Sequence, residues 1–474
     1  MSENVTMTAA PGVVKTHQKT GFGRTLGLGS LLAVAVGLVV SQGVMVLMLQ
    51  GAGIAGLGFI IPLAIGYILA LTYVASFSEL SLMIPRAGSL SSYTEVSIGH
   101  FPAILAVFSG YIVVAMFALS AELLLLDFII DKIYPGVFPP MSIGIGLLAV
   151  FTVLNLMGID LFAKLQSALA FIMVLVLLAL GLSALGGMAN PHTAGIDLTS
   201  DWNPLGTGVF ALVALAIWGF VGAEFVCPLV EDAKQPERNI PRSMSLGVTV
   251  IFVTIAIYCL GALFYIPADQ LAGSPLPHYD FAQAVFGETG LTFLAIAAIT
   301  ATCSTVNTSL AAIPRMLYGM AKNGQAFPQF SKRSRTNNTP WVAVLFVAAI
   351  TGLPMLIMGD DPDAIGLLLI SAAIAWLLAY IITHVNVMVL RRRYPKLKRP
   401  YKTPFYPLPQ ILGIAGMIYA VYYASPAPEL NGQIFGAAGM VLGLVSVIGV
   451  FWVKVVMKKK LFEPEPIEKV LNAK

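Results

Sequence analysis

Long apolar stretches separated by short polar joints recur along nearly the whole chain, so hydropathy rather than periodicity sets its elements. A helix needs roughly 20 apolar residues to cross about 30 Å of hydrocarbon. Stretches of that kind fall near 27–50, 56–80, 101–126, 140–158, 166–187, 206–229, 244–266, 291–320, 340–358, 364–390, 406–424 and 433–453. The pattern predicts an all-α membrane protein with twelve transmembrane helices. No joint between them has room for a separate soluble domain, so whatever the protein does is expected inside the bundle.

Composition sharpens the class. Of 474 residues, 58% are hydrophobic and 11% charged, with a mean hydropathy of +0.86, against about 25% charged residues in soluble domains. The net charge is +4, but its placement matters more than its sum, because Lys and Arg in short joints set orientation. With both termini on one side, nearly all of the 27 Lys and Arg share that side and Lys132 is the exception. The basic joints hold Lys15, Lys19 and Arg24; Lys234, Arg238 and Arg242; Lys322 to Arg335; Arg391 to Lys402; and the tail from Lys454. Asp197, Asp201 and the run Asp360, Asp361 and Asp363 fall opposite. The expectation is a multi-pass protein of a plasma membrane, a bacterial inner membrane by preference, with cytoplasmic termini, a lipid partner and no nucleic acid. Residues 1–20 lack the apolar core of a signal peptide. Cys227, Cys259 and Cys303 have no metal-binding spacing and read as packing residues; neither metal nor cofactor is expected.

Irregular backbone is tolerated in hydrocarbon only where protein buries it or it lines a wet cavity. Two stretches carry that signature. AVGLVVSQGVMV puts Gly37, Ser41, Gln42 and Gly43 in the middle of the first span, and WGFVGAE puts Gly219, Gly222 and Glu224 in the middle of the sixth. Paired interruptions in the first spans of two five-span halves point to an inverted-repeat transporter; close helix packing through small residues is the alternative. A carboxylate at mid-bilayer costs at least about 2.5–3.5 kcal/mol, so Glu224 is a functional candidate by default. It is expected to carry a proton, or else to hydrogen-bond the unwound backbone of the first span.

The segment WGFVGAEFVCPLVEDAKQPERNIPRSM (Trp218 to Met244) resembles the sixth helix and following loop of the APC (amino acid–polyamine–organocation) transporters. ELSLMIPRAGSLSSYT, IPRMLYGMAKNGQAFP and LRRRYPKLKRPYKTP resemble further joints of that superfamily, and the likeness runs over about residues 25–450. It implies a LeuT-type 5+5 inverted repeat with two additional C-terminal helices, working by alternating access. The corresponding divisions are a tail at 1–24, repeats at 25–187 and 205–391, two helices at 405–455 and a tail at 456–474. Carried over by position, the backbone N–H groups of Ser41, Gln42 and Gly43 would hold a substrate carboxylate and Val39 would offer a carbonyl. Trp218 would be the gating aromatic. The carbonyls of Trp218 and Val221, in the break that Gly219 and Gly222 make, would face an ammonium. The resemblance implies a secondary transporter for a small amino acid or related amine, with the proton as coupling ion. The alternative is a polyamine or ethanolamine-like substrate with sodium coupling or exchange.

Two departures from the superfamily pattern stand in the chain. Its first-helix Gly-Ser/Thr-Gly triplet reads Ser41-Gln42-Gly43, which puts a bulky amide where an α-amino acid would lie. Met173 stands where some relatives have a lysine proposed to carry the proton, while Lys164 reads as a positive-inside residue. Glu122, on the same helix as Tyr111 and Phe117, is a second candidate for proton coupling or for meeting a cationic substrate, placed toward the outer end where it would reach water. Thr302, Ser304 and Thr305 are hydroxyls of the kind that hold sodium. His384 lies near a basic joint and is not expected to relay protons. No HExxH or Gly-x-Ser-x-Gly occurs, so an enzyme is not expected; the acidic run GDDPDAIG is the nearest approach to a magnesium site.

Overall fold

The computed structural model describes residues 25–188, 202–358, 362–424 and 431–472. Asp197, Asp201, Asp360 and Asp361 lie outside them, as does the expected 1–24 tail, and nothing is described of the Asp363 side chain. The described residues are helical throughout apart from joints and one isolated bridge. The reason is that an apolar solvent leaves main-chain polar groups no partners except one another, which a helix satisfies within the segment.

In chain order the α-helices are α1 (Leu28–Gly37), α2 (Gln42–Ala55), α3 (Ile60–Met83), α4 (Leu90–Ser97), α5 (His100–Val107), α6 (Ser120–Ile133), α7 (Ser142–Leu156), α8 (Ile159–Leu185) and α9 (Val213–Trp218). They continue with α10 (Pro236–Tyr265), α11 (Ala268–Gly273), α12 (Pro277–Phe286), α13 (Glu288–Lys322), α14 (Trp341–Met358), α15 (Pro362–Arg393), α16 (Leu408–Tyr422), α17 (Asn431–Phe451) and α18 (Ile467–Asn472). Eight helical runs among the described residues are long and apolar enough to cross a membrane, and four shorter apolar helices accompany them.

Three of these runs are irregular where they pass through the core. The first apolar run is interrupted between α1 and α2, where Ser41 is extended (φ −106, ψ 170) and caps α2 by accepting from Val44 N at 3.3 Å. The run from Gly206 to Leu229 is α-helical only over α9. It turns at Gly222, whose φ of +116 is open to glycine and strained for other residues, and resumes as a 3-10 helix over Ala223–Leu229. Between α5 and α6 the backbone widens into π-turns at Phe108–Ile112 and Ala115–Leu119. Such turns rotate the helix face that follows them and are frequent at functional sites.

The ends of the bundle are tied differently. At the end rich in Lys and Arg, Leu26 N donates to Asp232 O at 3.0 Å and Lys234 N to Leu26 O at 2.8 Å, which binds the lead-in of α1 to the exit of the 3-10 segment. Arg315 of α13 pairs with Asp232 at 3.4 Å, and Arg391 holds both oxygens of Glu79 at 2.8 and 2.6 Å. The chain after α17 folds back under this end: Glu465 N donates to Glu95 O at 2.9 Å, and Arg86 donates to the α18 carbonyls of Val470 and Leu471. At the opposite end α11 crosses α2, with Gln50 Nε2 on Ser274 O at 2.9 Å.

Candidate functional site

The first amides of a helix have no partner within it. In α2 they are those of Gln42 and Gly43, and both are taken by one side chain: Gln42 N donates to Glu122 Oε2 at 2.9 Å and Gly43 N to Glu122 Oε1 at 2.8 Å. Glu122 comes from the first turn of α6, just after the second π-turn ends at Leu119. It is 2% exposed, which corrects the expectation that it reaches water near the outer end; the π-turns swing it inward instead. Gly43 is required by the approach, since a Cβ there would sit 2.8 Å from the Glu122 carboxylate. Gln42 turns its own amide away from that point, donating to Thr302 Oγ1 at 2.7 Å, while its Oε1 has no partner among the described residues. Val39 O accepts from Ser41 N at 3.0 Å in the turn between the two half-helices.

The second break is arranged from the other side. Glu224, fully buried, accepts from Trp376 Nε1 at 2.8 Å, from Tyr380 Oη at 2.6 Å and from Gly222 N at 3.1 Å. The alternative in which it bonds the unwound first span is therefore not what the structure contains: its partners lie on α15 and in its own turn. Gly219 follows Trp218 and packs close to Met48, 3.0 Å from where a Cβ would be.

Between the two breaks lies a cavity of about 30 Å³ among buried residues, walled by Val39, Ser41, Glu122, Trp218, Val221 and Trp376 together with Phe225, Thr305, Ser309 and aliphatic side chains. That volume suits one or two waters, so anything larger enters only as side chains withdraw. The aromatic wall is edge-to-face: Trp218 and Phe225 each stand 5.9 Å from Trp376. Tyr111 packs behind Phe225 at 5.2 Å. The Trp218 Nε1–H and the Tyr111 hydroxyl are buried without a partner among the described residues. Glu224 is held behind Trp376 and does not itself line the cavity.

Of the remaining candidates, Thr305 reaches Gly37 O at 3.5 Å, and Ser304 accepts from Gln166 Nε2 at 2.6 Å. The three hydroxyls of α13 thus do face the first broken helix. His384 is away from the cavity, 3.0 Å from Ser76 Oγ. Met173 is buried and Lys164 exposed. No group of three or more His, Cys, Asp or Glu among the described residues is placed to hold a metal.

Sequence reasoning missed Trp376 and Tyr380, which anchor Glu224, and the Gln166–Asn307 pair at 3.1 Å. The first two left a signal. They are spaced i, i+4 and so share one helix face, and they lie inside an apolar span rather than in the interfacial belts where Trp and Tyr usually collect.

Two broken helices, a buried carboxylate at each and a cavity between them define a class: helical membrane proteins that handle a small solute at the middle of the bundle. The family model for amino acid permeases matches residues 26–448. The chain belongs to this family of amino acid permeases, within the APC superfamily. Similar proteins include the branched-chain amino acid permease BcaP of Bacillus subtilis, 23% identical over 440 residues, 86% of this chain and 90% of the relative. The serine/threonine exchanger SteT of the same organism is 26% identical over 422 residues, 85% and 92% of the two chains. Among solved structures, a mutant manganese transporter of Eremococcus coleocola shares the fold, with a TM-score of 0.59 at 12% identity over 91% of this chain and 94% of that one. The protein is a multi-pass membrane transporter, not an enzyme.

Proposed function

We propose that the protein moves a small solute bearing a primary amine, an amino acid or related amine, across the plasma membrane by alternating access, with proton coupling through Glu224. The observation that carries this is the cavity among buried residues between the two helix breaks, with the Glu122 carboxylate in its wall. The eight long runs and four short apolar helices are read as twelve spans: two five-helix halves, 25–187 and 205–391, related by inversion, and a final pair at 405–455. The basic end is the cytoplasmic one. Its Leu26–Asp232–Lys234 tie and the Asp232–Arg315 pair are the inner gate, and α11 with α12 forms the outer cover. Trp218, packed against Trp376, gates the cavity. The names of the relatives, permeases and an exchanger, favour carriage over a channel.

Proton coupling is supported by the surroundings of Glu224, which is held by neutral donors and has no fixed cation among the described residues to oblige it to stay ionised. Sodium is the second reading, favoured by the α13 hydroxyls that face the first helix. Uptake of labelled amino acids and amines into proteoliposomes, with and without imposed proton and sodium gradients, tests both. Accumulation driven by a proton gradient is expected; failure of every solute to bind or move overturns the transport reading.

A further inference from the structure

The amides that would clasp a substrate carboxylate are already clasping one. We propose that Glu122 is a resident stand-in for that carboxylate, so that the cavity takes a small primary amine carrying no carboxylate of its own. This rests on the transport reading above and narrows its substrate.

Both Glu122 oxygens are engaged by the first two amides of α2, at 2.9 and 2.8 Å, which is what a bound carboxylate obtains from a helix N-terminus. A second carboxylate brought to the same point would have to displace Glu122 into an apolar wall or share the amides with it. Two like charges in one buried site cannot both stay ionised cheaply. An amine meets the opposite situation. The cavity wall presents Glu122 and the residues Ser41, Thr305 and Ser309, and the aromatic side chains of Trp218, Trp376 and Phe225 line it as well. Carboxylate and indole are the two groups that attract an ammonium. Among the described residues no Lys or Arg lines the cavity, and Glu224 adds a second acid behind Trp376. A positive charge is thus what the cavity lacks.

A separate feature suggests what else the amine carries. Trp218 is 6% exposed and lines the cavity, and its Nε1–H has no acceptor among the described residues. A buried donor left unpaired is costly. A hydroxyl on the solute would satisfy it, so amino alcohols fit the wall better than plain alkylamines.

The test compares amino acids with their decarboxylated twins on the full-length transporter: serine with ethanolamine, leucine with 3-methylbutylamine, phenylalanine with phenethylamine. Binding is read by thermal shift in detergent and transport by labelled uptake into proteoliposomes. In at least one pair the amine should half-saturate at a concentration at least about tenfold lower than its amino acid, since like-charge juxtaposition in a buried site outweighs a single factor of ten. Glu122→Ala bares the two amides, and it should bring the amino acid of that pair to equal or exceed its amine, a gain that mere loss of structure cannot give. If Glu122→Ala does not fold, the wild-type comparison decides alone. Preference of the wild type for the amino acid in every pair overturns the inference and leaves the transport reading standing, as does an unchanged amine preference in a folded Glu122→Ala. Failure of every solute to bind or move overturns both.

Discussion

The two helix breaks use the same device in opposite ways. At the first, the carboxylate comes from a distant segment, Glu122 of α6, and binds main-chain amides of a half-helix. At the second, the carboxylate belongs to the break itself, and its side-chain donors come from afar, Trp376 and Tyr380 of α15, beside the main-chain N–H of Gly222 within the break. Glu122 therefore joins two helices through main-chain amides that of the common substitutions only proline would remove, whereas two of the three donors to Glu224 are side chains that can be taken away singly. The lesson is one of adjustability: the first carboxylate is fixed by main chain, whereas two donors of the second can be altered one at a time, which makes it the site where the proposed change of protonation can be tested.

Breaking the second site is expected to have the largest effect. Glu224→Gln should abolish accumulation driven by a proton gradient while leaving exchange of labelled for unlabelled solute intact. Uptake with and without a gradient, alongside counterflow, reads the two activities, and undiminished accumulation would remove Glu224 from the coupling.

Gly222→Ala attacks the same break through its backbone. The φ of +116 and a Leu38 Cδ2 only 2.5 Å from the added Cβ should together cost more than the roughly 1–3 kcal/mol of backbone strain alone. A lower melting temperature and reduced folded yield are expected in size-exclusion and thermal-unfolding measurements; an unaltered protein would show that the turn is not required.

Tyr380→Phe removes one donor and keeps the ring stacked 4.2 Å from Tyr73. Loss of one hydrogen bond to a carboxylate is worth about 1.5–3 kcal/mol, so gradient-driven uptake should fall between wild type and Glu224→Gln. Combining Trp376→Phe with it should approach the Glu224→Gln value, and a double variant no worse than either single one would refute the shared anchor.

A third buried carboxylate, outside the spans, sharpens the comparison with the smallest effect. Glu95 in α4, like Glu224, is held by neutral side chains, Asn323 at 2.5 Å and Gln325 at 2.6 Å. Burial, then the charge of Glu465, raises its pKa to about 8, with Lys459 and Lys469 acting against the shift. His100 faces it at 3.6 Å. Glu465, by contrast, is held down at about 2 by its hydrogen bonds to Lys459, His100 and Lys469, which outweigh its burial. A carboxyl whose folded pKa is raised stabilises the fold fully below the ordinary carboxylate range, and this contribution is lost as pH rises through about 8. The C-terminal segment from Lys459 to Asn472, tied to Glu95 through Glu465, should accordingly be cut faster by protease at pH 9 than at pH 7 relative to the rest of the chain, and Glu95→Gln should flatten that difference.

Much of the fold was legible in the sequence, because hydropathy is a local property and hydrocarbon leaves a chain few options. The apolar runs, the interruptions at Ser41 and Gly222 and the central place of Glu224 all follow from residues close together along the chain. Glu122 was legible as a candidate but not in its position, since two π-turns upstream rotate its face inward and no periodicity announces them. Trp376 and Tyr380 showed only a faint pattern. Local hydropathy and two glycine-bearing interruptions were enough to define a helical membrane protein with broken spans. Which groups fill those interruptions emerged from the packed bundle: the partner of a freed amide, or of a buried acid, is chosen by the depth and rotation of a helix tens to hundreds of residues away, and these are set by packing summed over many contacts rather than by any local run of residues.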